Sequence, residues 1–138
     1  GVLIIGHGDQ TLPKSMNQLM KKGSAYLEAG NIIIGSELAS ALKVKVGDKL
    51  VLVDMKSMAT ISSNQRIKQA VIGGIFKSGL QEYDKTVVYM PIKDAQSLFQ
   101  YDEKVSGYSI SITQHKHAGI LAEKIEEALG KDAKMAKI

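Results

Sequence analysis

Cysteine is absent from the 138 residues of the chain. Without a thiol, the chain can form neither a disulfide framework nor a thiolate zinc site, and it has no cysteine nucleophile. An absence of cysteine fits both the cytosol and the periplasm, so it does not by itself assign a compartment.

Bulky aromatic side chains are also scarce, with no tryptophan and two phenylalanines. A core must therefore be built mainly from Ile, Val, Leu, Ala and Met. Apolar residues still make up 44% of the chain and charged residues 23%, as in an ordinary globular domain. The length is that of one compact domain with room for a smaller lobe.

No apolar run approaches the roughly 18 residues that a membrane-spanning helix needs. The chain opens directly on GVLIIG, with no start methionine and no cleavable-signal pattern. We therefore expect a soluble fragment of a longer protein. The lack of a spanning segment in the fragment says little about that longer protein.

Acidic residues are missing from positions 55 to 81, whereas Lys56, Arg66, Lys68 and Lys77 are present. Arg66 is the only arginine of the chain, whose net charge is +4. Such a stretch could meet nucleic acid or an acidic protein surface. Because the basic residues are thinly spread and lack interleaved aromatic residues, the sequence argues against nucleic acid.

Hydrophobic periodicity and turn residues predict a β-rich first hundred residues. Strands are expected at 2–5, 31–34, 49–53, 67–76 and 86–90, and short helices at 15–22, 36–42 and 93–99. The second helix should have Ser36 as its N-cap and should bury Leu42 with Leu38 and Ala39. Gly73 and Gly74 indicate a bulge or a close backbone approach, and 77–85 should be a loop.

The last third of the chain has a different character. A strand at 108–113, an amphipathic helix at 117–129 and a strand beginning near 133 predict half of a small α/β lobe. A lone βαβ unit cannot cover both faces of its sheet. Its partner strands should therefore precede residue 1 or come from the strand at 2–5. We place the lobes at 1–104 and 105–138.

No pattern typical of an enzyme is present. The chain has neither a P-loop nor the G-x-G-x-x-G and G-x-S-x-G motifs. His115 and His117 could begin a metal site, but an exposed turn without a nearby carboxylate is the simpler interpretation. His7 is interpreted as structural, and Glu82 and Asp84 as residues of a solvated loop. We predict no catalytic residue, no metal and no cofactor.

Three segments, in this order and spacing, resemble a known family. They are IIIGSELASALKVKVGDKLVLV, GGIFKSGLQEYDKTVVYMPIKDAQSLF, and VSGYSISIT followed by the amphipathic helix. They are similar to the periplasmic domain of lipoprotein-releasing ABC transporter permeases of the LolC/LolE type, which is related to the periplasmic core of MacB-like permeases. The resemblance covers about residues 1–135, and SGLQEYDKTVVYMPIKDAQSLF is its most specific part.

The resemblance implies an α+β fold with a β-rich lobe, short helices and a protruding hairpin, followed by the C-terminal part of a βαβ (Porter-like) lobe. It also implies a position on the periplasmic side of the bacterial inner membrane, between two transmembrane helices of a permease. Two permease subunits and two cytoplasmic ATPase subunits would form the machine, which hands an acylated lipoprotein to a soluble chaperone, LolA.

In LolC-like members, the hairpin hooks the chaperone. By position it spans 54–68 here, within DMKSMATISSNQRIKQ. We expect apolar anchors and directional donors at its tip, followed by an Arg-x-Lys pattern. The partner-binding residues are expected to be Met58, Ile61, Asn64, Gln65, Arg66 and Lys68. This chain lacks the prolines that bracket the hairpin in hook-bearing relatives, so the hairpin should be less pre-organised.

Two other functions remain open at this point. One is the periplasmic domain of a MacB- or FtsX-like permease, which transmits motion or binds an adaptor. The other is a free-standing basic binding protein. For the segment 56–66 itself, the simpler interpretation is a polar hairpin tip that is only solvated.

Overall fold

The structure, a computed structural model, describes residues 1–54 and 67–99, which belong to one unit, Gly1–Val105. The strands in this part of the chain are β1 (Leu3–His7), β2 (Met20–Gly23), β3 (Asn31–Gly35), β4 (Lys49–Val53), β5 (Ile67–Phe76) and β6 (Val87–Pro91). The helices there are α1 (Lys14–Asn17), α2 (Ser36–Leu42), α3 (Gln81–Thr86) and α4 (Ile92–Phe99). This architecture confirms the predicted β-rich α+β fold.

The six strands form one mixed sheet in the order β1-β6-β3-β5-β2, with β4 paired to β5. Among the described strands, β5 is the one that pairs with three others, β2, β3 and β4. Val71 lies opposite both Asn31 of β3 and Lys49 of β4, so β3 and β4 occupy opposite edges of β5. β4 runs along the first half of β5, and β2 runs along the end of the second half on the same edge.

A bulge at the adjacent glycines Gly73 and Gly74 shifts which residues of β5 point to each face of the sheet. Ile32 pairs with Ile72, but the next residue, Ile33, pairs with Gly74, which leaves Gly73 as the extra residue. Ile72 and Ile75 therefore point to the same face although they are three residues apart. The bulge and the close approach predicted from Gly73-Gly74 are confirmed, since a Cβ at Gly74 would meet Ser24.

Both faces of the sheet are covered. One face packs against α2 and α4 through Ile32, Ile34, Ile72 and Met90. The other face packs against the segment that carries α1 and the turns before β3; its buried residues are Leu12, Ala25, Leu27, Ile33, Phe76, Val87 and Tyr89. The alternation of Ile32, Ile33 and Ile34 between the two cores follows from the two-residue period of a strand.

Several boundaries predicted from the sequence are wrong. The helix expected at 15–22 is the single turn Lys14–Asn17, and Met20–Gly23 is a strand paired with the end of β5. The segment expected as a loop at 77–85 contains helix α3. In both cases contacts between residues distant in sequence determine the secondary structure. Met20–Gly23 pairs with β5, and helix α3 contacts β3 and α2.

Helix α2 also differs from its prediction in two details. Gly35, not Ser36, occupies the N-cap position, and no side chain caps the helix. Leu42 is 49% exposed instead of buried, because the helix ends at this residue and Lys43 adopts a left-handed conformation. Leu38 and Ala39 are buried as predicted.

The first strand, considered above as a partner for the C-terminal lobe, pairs in parallel with β6. The Porter-like lobe predicted at 105–138, its helix and strands, and His115 and His117 lie outside the described residues. None of the helices within the described ranges combines the length and the apolarity that crossing a membrane requires.

Candidate functional site

The candidate site is the base of the β4–β5 connection. Val53 pairs with Ile67 in antiparallel register, and the pairing continues through Leu52–Lys68, Val51–Gln69 and Leu50–Ala70 to Lys49–Val71. We call this two-stranded segment the ribbon. Thirteen residues, 54–66, connect the two strands of the ribbon.

The ribbon extends beyond the body of the sheet. β3 begins to pair with β5 only at Val71. Among the described strands, β4 is therefore the only strand neighbour of residues 67–70. A two-stranded ribbon has marginal stability by itself, so the packing of its inner face decides how firmly it is held.

The outer face of the ribbon is apolar and exposed. Val51 is 59% exposed, Val53 36% and Ile67 54%. Val53 and Ile67 are directly opposite, and Val51 is diagonal to Ile67, which brings the three side chains within reach of one another. Lys49 and Gln69 complete this exposed face. We refer to Val51, Val53 and Ile67 as the apolar patch.

The inner face of the ribbon packs on the core. Leu52 and Ala70 are buried in the core that also contains Ala95 and Leu98 of α4. Lys68 lies on the same face, directly opposite Leu52, and its ammonium nitrogen is 3.3 Å from Oδ1 of Asp94. The other oxygen of Asp94 accepts a 2.8 Å hydrogen bond from the backbone N–H of Gly30.

The structure describes one of the six residues predicted to bind a partner. That residue is Lys68, whose side chain is 24% exposed and is paired with Asp94, which is 15% exposed. The other five, Met58, Ile61, Asn64, Gln65 and Arg66, lie outside the described residues. Their roles stay predictions.

Neither the apolar patch nor Asp94 is among the site residues predicted from the sequence. A usable signal existed for the patch: in KLVLV, Val51 and Val53 alternate with Leu50 and Leu52, so both faces carry apolar side chains, although a strand beside a polar loop needs only one apolar face. Asp94 gave no comparable signal, because its partners Gly30 and Lys68 are distant in sequence.

A second polar arrangement fixes the loop between β5 and α3. Asp84, expected in a solvated loop, is 2% exposed, which corrects that prediction. Its Oδ1 accepts hydrogen bonds from the backbone N–H of Ser78 at 2.8 Å and from the Ser78 hydroxyl at 2.6 Å, and its Oδ2 accepts one from the Gly79 N–H at 3.2 Å. Gly79 has a positive φ of 88°, as its place in the loop requires.

Asp84 is buried because its part of helix α3 packs against the end of β3. The Asp84 backbone lies directly over Gly35, where a side chain would overlap the Asp84 carbonyl. Burial alone raises the pKa of Asp84, but the bonds from Ser78 and Gly79 and the positive charge of Lys77 outweigh it, so the pKa lies below its usual value. Asp84 is therefore a buried carboxylate that holds a loop.

His7, Tyr83 and Tyr89 are further titratable residues with side-chain hydrogen bonds in the described part of the chain. The imidazole Nε2 of His7 lies 3.1 Å from the carbonyl oxygen of Thr11, as expected for a structural histidine. Within residues 1–54 and 67–99, no three histidine or carboxylate side chains converge to hold a metal ion. The Tyr83 and Tyr89 hydroxyls are hydrogen-bonded to each other beside Phe76, in the second core.

Known proteins are similar in sequence to about three quarters of the chain. A protein of Neisseria meningitidis serogroup B (strain ATCC BAA-335 / MC58), named lipoprotein-releasing system transmembrane protein LolC, is 29% identical over 104 residues, 75% of this chain and 25% of the relative. The chain resembles LolC-type proteins. This finding confirms the resemblance predicted from the sequence.

Two proteins of the same name from Xylella fastidiosa support this conclusion. The protein of strain Temecula1 / ATCC 700964 is 29% identical over 113 residues, 79% of this chain and 27% of the relative. The protein of strain 9a5c is 30% identical over 105 residues, 73% of this chain and 25% of the relative. The chain thus spans about a quarter of the length of these relatives. No family model matches it.

Proposed function

We propose that the chain is a non-catalytic periplasmic part of an ABC permease that releases lipoproteins from the bacterial inner membrane. In this role it hands acylated lipoproteins to a soluble periplasmic chaperone of the LolA type. The proposal rests on the similarity to LolC proteins, whose names describe a transmembrane protein of a lipoprotein-releasing system. Its other partners would be the cargo, a sister permease subunit and the cytoplasmic ATPase.

The β4–β5 hairpin would be the part that binds the chaperone. The observation that carries this proposal is the apolar patch at the base of the connection 54–66. Protein interfaces typically combine an apolar centre with a polar rim. Here Lys49 and Gln69 flank the patch, and no acidic residue occurs between positions 55 and 81. A chaperone surface with acidic groups around an apolar depression would be complementary to it.

The patch and the predicted tip would then form one continuous contact. Ile67 of the patch directly follows Arg66, the arginine expected to donate several hydrogen bonds to the partner. Val51 and Val53 would add apolar area on the same face. Exposed valine and isoleucine side chains contribute to binding when the partner removes them from water.

Site-directed photocrosslinking in the full-length permease tests this function. A benzophenone amino acid is introduced at Val51 or Ile61, and at Ser40 on the exposed side of α2 as the control. We expect a chaperone adduct from positions 51 and 61 and none from position 40. Adducts at 51 and 61 with an adaptor protein instead of the chaperone would favour the MacB- or FtsX-like alternative.

A further inference from the structure

We propose that Asp94 is a positioning residue for the hairpin, because it holds the ribbon against helix α4 through Lys68. This inference rests on the proposed function only where it concerns chaperone binding. The orientation of the ribbon is a property of the chain alone. The contact that carries the proposal is the 3.3 Å approach of the Lys68 ammonium nitrogen to Asp94 Oδ1.

Asp94 is suited to this task because it is itself held at two points. It lies in the first turn of α4, whose Ala95 and Leu98 are buried in the core. Its Oδ2 accepts the 2.8 Å hydrogen bond from the Gly30 N–H, just before β3. The carboxylate is thus fixed to the body of the sheet, and Oδ1 remains to hold the ribbon.

Beyond the packing of Leu52 and Ala70 on the core, the first residues of β5 have little support from neighbouring strands. Residues 67–70 have β4 as their only strand neighbour in the described part of the chain. The end of the ribbon at Ile67 lies four residues beyond Val71, about 13 Å at the usual rise of a strand. A small tilt near Val71 would therefore displace Val53 and Ile67 of the apolar patch by a larger distance than residues close to Val71.

Lys68 sits where a restraint is most effective. It lies one residue from the last described pair, Val53–Ile67, on the inner face. The ion pair therefore acts near the far end of the ribbon and leaves the outer face free for a partner. The lack of prolines around the connection makes this side-chain restraint more important, because the backbone is not stiffened there.

The orientation of the ribbon can be measured without any partner. The chain has no cysteine, so spin labels at Gln69→Cys on the ribbon and Ser40→Cys on α2 are unique, and both positions are exposed. We expect Asp94→Asn and Lys68→Gln to broaden the distance distribution, and Lys68→Arg to keep it narrow. Glu82→Gln, the same charge change at an exposed position, should have no effect. An unchanged distribution in Asp94→Asn would overturn the inference.

Chaperone affinity then tests the functional part. In calorimetric titrations with the lipid-free chaperone, Asp94→Asn should weaken binding about three- to tenfold, as expected for loss of a charged contact. The double variant Asp94→Asn/Lys68→Gln should bind no more weakly than Lys68→Gln alone, because Asp94 acts only through Lys68, and Lys68→Arg should keep the wild-type affinity.

The outcomes of the two experiments are separable. If the distribution broadens while the affinity of Asp94→Asn equals that of the wild type, Asp94 does not position the hairpin for its partner. Additive losses in the double variant would also refute action through Lys68. If the wild-type chain binds no chaperone, the proposed function fails, and the distance distribution alone decides whether Asp94 orients the ribbon.

Discussion

Replacing Asp84 by asparagine should lower the free energy of unfolding by about 2 kcal/mol. The carboxylate is almost fully buried and accepts three hydrogen bonds from Ser78 and Gly79. Asparagine can keep the two bonds that reach Oδ1. It places an amide N–H₂ group opposite the Gly79 N–H, and that donor loses its acceptor.

The magnitude follows from these bonds. A hydrogen bond to a charged acceptor contributes about 1.5–3 kcal/mol net, and a neutral one about 1 kcal/mol. The variant loses the hydrogen bond from Gly79 completely and weakens the two from Ser78, because their acceptor is no longer charged. Part of this loss is offset because a neutral amide costs less to bury than a carboxylate. For a unit of this size, a loss of about 2 kcal/mol corresponds to a decrease in Tm of about 10 °C.

The effect of Asp84 depends on pH in a defined direction. Because its pKa is lowered in the folded chain, the unfolded chain binds more protons in the range between the folded and unfolded pKa values. The stabilisation is therefore fully present above the unfolded pKa of about 4 and is lost as the pH falls through the folded pKa. The difference between wild type and Asp84→Asn should shrink accordingly in acid.

Urea unfolding at pH 7 and at pH 3 measures both effects. Tyrosine fluorescence is the intrinsic probe, since the chain has no tryptophan. Glu82→Gln, an exposed carboxylate of the same helix, is the matched control and should change stability by less than about 0.5 kcal/mol. An Asp84→Asn variant as stable as the wild type at pH 7 would refute the role assigned to the carboxylate.

Two further predictions concern the body of the fold. Gly35→Ala should cost about 3 kcal/mol, because its Cβ would overlap the backbone of Asp84, whereas Gly8→Ala, at a position with open space, should be nearly neutral in urea unfolding. Burial and the hydrogen bond with Tyr83 raise the pKa of Tyr89, so the folded chain should lose stability as the pH rises above about 10, where tyrosine ionises in the unfolded chain. Tyr89→Phe should reduce this loss between pH 9 and 11, and an identical loss in both proteins would contradict the assignment.

Local sequence patterns predicted most of the strands. β5 has the predicted bounds of 67–76, and its adjacent glycines form the predicted bulge. Both features depend on residues that are close together in the sequence, so a local pattern is enough to predict them. Met20–Gly23 was not recognised as a strand because its partner, the end of β5, lies more than 50 residues away. Its own spacing of apolar residues fits a short helix equally well.

The site was predictable only in part. The position of the connection followed from the two flanking strands and from the absence of acidic residues. The apolar patch depends on which face of the ribbon remains uncovered, and this becomes visible only when α4 is packed on the other face. The contact between Lys68 and Asp94 joins residues 26 positions apart, so no local pattern indicates it.

The affinity of the chain for the lipid-free chaperone, measured by calorimetry for the wild type and Arg66→Ala, tests the central claim most directly. Removing the guanidinium from the predicted hairpin tip should weaken binding by about 2 kcal/mol or more, roughly 30-fold, as for an interface hot spot. The Tm should be nearly unchanged. Lys93→Ala, which removes an exposed charge from α4, is the control. Equal affinities of wild type and Arg66→Ala would contradict the account.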